Sequence, residues 1–75
     1  MNKFLVLGLA KAVLATITVN GDKATMRRSK AAMAAGKCIA PSNDRDLCAA
    51  ARYLTKERAA VSAVACGYTV SKLQP

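Results

Sequence analysis

The chain has 75 residues, with 12 Lys and Arg against 4 Asp and Glu, no His, and a formal net charge of +8. That length admits a single small basic domain, 1–75, and excludes the large α/β enzyme folds. The 53% share of hydrophobic residues excludes a disordered basic tail.

Residues 3–14 form the first element. The run Phe4-Leu5-Val6-Leu7 is apolar on every side, so periodicity does not separate helix from strand. It is expected to supply most of the bulky core, with Leu9 included. The stretch from Phe4 to Ala10 begins like a secretory signal, but Lys11 interrupts it after seven residues. It is also too short to span a bilayer, which takes about 20 apolar residues. Secretion and membrane insertion are therefore not expected, and a reducing cytoplasm is.

Asn20-Gly21 then separates two alternating runs, Ala15–Val19 and Asp22–Met26, and such a pair signals a hairpin. In that register Ile17 faces Ala24 and Ala15 faces Met26 on one side. Thr16, Thr18, Lys23, Thr25 and Arg27 lie on the other. The competing reading is a helix from Lys23 to Ala35, capped by Asp22 and stopped by Gly36. Both readings make 30–35 helical.

Lys37 to Pro41 is a connector. Ser42-Asn43-Asp44 opens a helix in which Leu47, Ala50, Ala51 and Leu54 share one face. Thr55 is expected to cap a further helix from Lys56 to Cys66, with Gly67 as its stop; the alternative is one unbroken helix from Asp44 to Cys66. Tyr68–Leu73 has strand character. The fold class is thus α+β: an N-terminal apolar element and a β-hairpin followed by two or three short helices. A small all-α bundle is the alternative.

Three cysteines, Cys38, Cys48 and Cys66, cannot all pair within one chain. Their spacing matches no zinc or redox pattern and no His completes a tetrahedral site. They read as small apolar side chains, and no metal or cofactor is implied. Catalysis is not expected, because the commonest base at neutral pH is missing. The sole candidate nucleophile is Cys48, near a helix start with Arg45 and Arg52 beside it. The four glycines form no phosphate loop.

Charge is the remaining signal. Residues 1–41 carry seven of the twelve cations and only one carboxylate, Asp22. The candidate contact residues are Lys23, Arg27, Arg28, Lys30 and Lys37, joined by Arg45 and Arg52. Such a field attracts polyanions. With one Phe, two Tyr and no Trp, stacking platforms for single strands are not expected, and contact to phosphates is favoured over base reading. A helix-turn-helix using Arg58 and Ser62 is a weaker reading.

The leading expectation is a non-enzymatic small basic protein that contacts nucleic-acid phosphates. The alternative is a small interaction protein (an inhibitor, adaptor or assembly component of a phage or mobile element) docking on an acidic protein surface. A cationic membrane-active peptide, inserting through residues 4–19, ranks third. With 16 Ala and few large side chains, the core is shallow, so stability is expected to come partly from a homo-oligomer or a larger partner.

Overall fold

The computed structural model describes residues 2–37, 39–57 and 62–73. Its centre is an antiparallel sheet of five strands in the order β3-β2-β1-β5-β4. The strands are β1 (Asn2–Leu7), β2 (Val13–Asn20), β3 (Lys23–Arg28), β4 (Ala63–Ala65) and β5 (Tyr68–Lys72). Two helices, α1 (Lys30–Ala34) and α2 (Asp44–Glu57), complete it. The architecture is α+β.

Residues 3–14 are not one element. The chain runs out along β1, turns through a 3-10 segment at Leu9–Lys11 and returns as β2. Gly8 N–H donates to the Ala12 carbonyl at 2.9 Å and closes this turn. Ala10 and Lys11 both hold positive φ, 57° and 60°, which costs any residue with a Cβ. Leu9 sits at the tip, 95% exposed, rather than in the core. Strand alternation explains the discrepancy. Phe4 and Val6 are buried, whereas Leu5 and Leu7 point to the opposite face and are only half-buried.

The β2–β3 hairpin is present, with its turn one residue later than the Asn-Gly pair suggests. Asn20 pairs with Lys23, so Gly21 and Asp22 are the central turn residues. Gly21 takes φ +64° and Asp22 is not among the positive-φ residues, the signature of a type II′ turn. Ile17 therefore pairs with Met26 and Ala15 with Arg28, a shift of two positions. A shift of two preserves the faces. Ala15, Ile17, Val19, Ala24 and Met26 still look one way, and the threonines, Lys23 and Arg27 the other.

Ser29 caps α1, its Oγ accepting from the Ala32 N–H at 3.4 Å. Gly36, at φ +70°, ends it while Lys37 N–H donates back to the Ala32 carbonyl at 2.9 Å, a Schellman closure. Pro41–Asn43 form a 3-10 turn into α2. Asp44 and Asp46 fall in the first turn of α2, where the helix dipole favours them. Leu47, Ala51 and Leu54 press on the sheet and are buried with Phe4, Val6, Ile17, Val19, Ile39 and Val70.

The expected second helix, and equally the unbroken helix from Asp44 to Cys66, is not formed. Ala63–Ala65 is strand β4, and a tight turn at Cys66 (φ 56°) and Gly67 (φ 82°) joins it to β5. Gly67 thus serves a hairpin, not a helix end. Thr55 is no cap: it lies inside α2, its hydroxyl donating to the Ala51 carbonyl at 2.9 Å. Residues 58–61, including Arg58, lie outside the described residues. Ser62 leads into β4, which removes the helix-turn-helix reading. The strand expected over Tyr68–Leu73 is β5.

Candidate functional site

Helix α2 covers one face of the sheet and leaves the other open. Register places the open-face side chains in rows across the strands. Arg27 stands beside Thr16, Leu5 and Ser71; Thr25 stands beside Thr18 and Lys3; Lys23 stands beside Asn20. Together Lys3, Lys23, Arg27, Asn20 and the three threonines of β2 and β3 line a shallow concavity of about 640 Å³. Lys3 is two strands away from Thr25, which is midway between Lys23 and Arg27. At a rise of ~3.4 Å per residue and ~4.8 Å between strands, the three cation-bearing Cα atoms form a triangle of about 12–14 Å on a side.

Among the described residues no carboxylate lines this concavity. Asp44, Asp46 and Glu57 lie on α2, behind the sheet, and Asp22 lies in the hairpin turn. The other end of the open face is apolar: Leu7 pairs with Val13 and with Thr69, which pairs with Val64. One face thus carries a cationic, hydroxyl-rich end and an apolar end.

The cations singled out by sequence do not form one cluster. Lys23 and Arg27 are on the open face. Arg28, next in β3, points the opposite way. Its guanidinium is ion-paired with Asp44 Oδ1, and its Nε donates to the Ile39 carbonyl at 3.2 Å. That group ties the end of β3 to the connector and to the start of α2, so its charge is spent internally. Lys30 opens α1 and Lys37 follows its end, and both are exposed. Arg45 and Arg52 are exposed on α2, behind the sheet. Lys3 joins the site although sequence reasoning passed it over. Its signal was the alternation of β1, hidden because Leu5 and Leu7 are apolar on the same face.

The cysteines are not three core side chains. Cys48 is half-buried, Cys66 is exposed, and Cys38 lies outside the described residues. Burial, and then the Asp44 carboxylate, push the Cys48 thiol above its ordinary pKa, against the opposing pull of Arg52. Cys48 is therefore held as a thiol, the reverse of what a nucleophile needs. Cys66 Sγ lies 3.5 Å from Asp46 Oδ2. Among the described residues no group of three or more potential ligands could hold a metal ion, and no helix is long and apolar enough to cross a membrane. Residues 4–19 are folded into β1 and β2, with Phe4, Val6, Ile17 and Val19 in the core.

No family model, curated protein or solved structure matches the chain.

Proposed function

We propose that the protein is a non-enzymatic binder of nucleic-acid phosphates, and that the cationic end of the open sheet face makes the contact. The observation that carries this reading is the placement of Lys3, Lys23 and Arg27 around Thr16, Thr18 and Thr25, with no carboxylate of the described residues among them. Cations neutralise phosphates, while threonine hydroxyls and the Asn20 amide supply short neutral donors of the kind that contact phosphate oxygens. Among the described residues no aromatic side chain lines the site for a base to stack on, so the backbone, not the base, is what it recognises.

Fluorescence anisotropy with a labelled duplex DNA, titrated between 50 and 200 mM salt, tests this. Neutralising three phosphates gives a slope of log K against log salt of about −2.7. Replacing Lys3, Lys23 or Arg27 with Ala each makes the slope shallower by about 0.9. Arg28→Gln leaves it unchanged, because that cation is already paired with Asp44. Absence of binding, or a slope indifferent to all three open-face substitutions, overturns the proposal.

A further inference from the structure

Strand β3 is an edge of the sheet, and its backbone has hydrogen-bonding groups to spare. The Ser29 N–H donates to the Leu14 carbonyl at 2.9 Å, which sets the phase of the β2–β3 ladder. Stepping back by twos, Arg27, Thr25 and Lys23 exchange bonds with Thr16, Thr18 and Asn20. The N–H and C=O of Ala24 and Met26 therefore point away from the sheet, and they have no backbone partner among the described residues. Such an edge is a template for another strand.

The side chains determine which strand fits. A second copy paired about Thr25 is disfavoured, because it sets Lys23 against Arg27, and like charges directly opposite are destabilising. An added strand that alternates carboxylate and apolar residues does fit. Its residues opposite Lys23 and Arg27 emerge on the open face, beside two exposed cations. Those opposite Ala24 and Met26 emerge on the other face, beside half-buried apolar groups that border the core.

We propose that β3 accepts an extended acidic peptide segment as a sixth strand, with carboxylates four residues apart against Lys23 and Arg27 and apolar residues against Ala24 and Met26. This site uses the backbone of β3, which phosphate binding does not require, but it shares two cations with the phosphate site. Peptide and duplex therefore compete.

The probe is an acetylated and amidated synthetic peptide of sequence TEVTVET. The expected result is saturable binding with slowed amide exchange at Ala24 and Met26, and binding at least tenfold weaker for the lysine peptide TKVTVKT. Methylating the backbone nitrogens of the two valines, which face β3, abolishes binding without altering the protein. Ala24→Pro removes one outward N–H while leaving the β2 ladder intact, an edge position that tolerates proline. It loses the peptide and keeps the salt slope for duplex DNA, which separates failure of this site from failure of the phosphate site. Equal affinity for the two peptides, unchanged exchange at Ala24 and Met26, full binding by the methylated peptide, or formation of a dimer through β3 instead overturns the proposal.

Discussion

Arg27 and Arg28 are neighbours in sequence with opposite fates. Strand alternation sends Arg27 to the open face and Arg28 to Asp44 and the Ile39 carbonyl. The charge count of the segment was legible in the sequence; its division was not, because the partner of Arg28 is brought in by a helix 16 residues on. Cys48 shows the same limit. Sequence sets Arg45 and Arg52 around it and suggests a lowered pKa, yet burial and Asp44 win and raise it. A thiol whose pKa is raised by folding keeps its proton in the native state after the unfolded chain has lost its own. Its contribution to stability is whole below the unfolded value and is lost as pH rises through the folded one. Stability is thus expected to decline above about pH 8.5, the ordinary thiol value. Denaturant unfolding at pH 7 and pH 10 checks this: Cys48→Ala should show a smaller alkaline loss than the parent chain, and an identical loss removes Cys48 as the cause.

Among the elements, α2 was the most readable. Its start signal and its Leu47, Ala51 and Leu54 stripe are local features that the fold retains. The β2–β3 hairpin was readable in its faces and misjudged in its pairing, because Asn-Gly and Gly-Asp both supply turn chemistry and only the ladder chooses between them. Strand β4 was not readable. Ala63-Val64-Ala65 prefers helix on intrinsic grounds, and pairing with Val70, Thr69 and Tyr68 overrides that preference. β1 was ambiguous for the opposite reason: it lies between β2 and β5, and apolar residues occupy both of its faces. Because α2 is the helix that covers the sheet, its docking governs stability. Leu47 is fully buried, and Leu47→Ala should cost about 2–5 kcal/mol. In a domain of this size that lowers Tm by more than about 10 °C in a thermal melt. A shift below a few degrees would mean that the face of α2 is not seated on the sheet as described.

At the scale of the whole molecule the charge is divided by a layer of strands. Three cations face outward on one side, and three of the four carboxylates lie behind with Arg45 and Arg52. Total charge and its distribution can therefore be separated experimentally. Lys23→Glu with Arg27→Glu, and Arg45→Glu with Arg52→Glu, are two double variants of identical net charge. The first should lose duplex binding and the second retain most of it; equal losses would mean that only the sum matters. The order of the strands has a further consequence for how the protein is made. β1, the first of the five strands in chain order, is flanked on one side by β2 and on the other by β5, with Phe4 opposite Lys72. A nascent chain assembles the β1–β2–β3 meander early, from contacts close in sequence, and then holds the flank of β1 unzipped until β5 has left the ribosome. Closing the sheet waits on that pairing, which joins residues far apart in sequence, and until it forms Leu5 and Leu7 border an open seam.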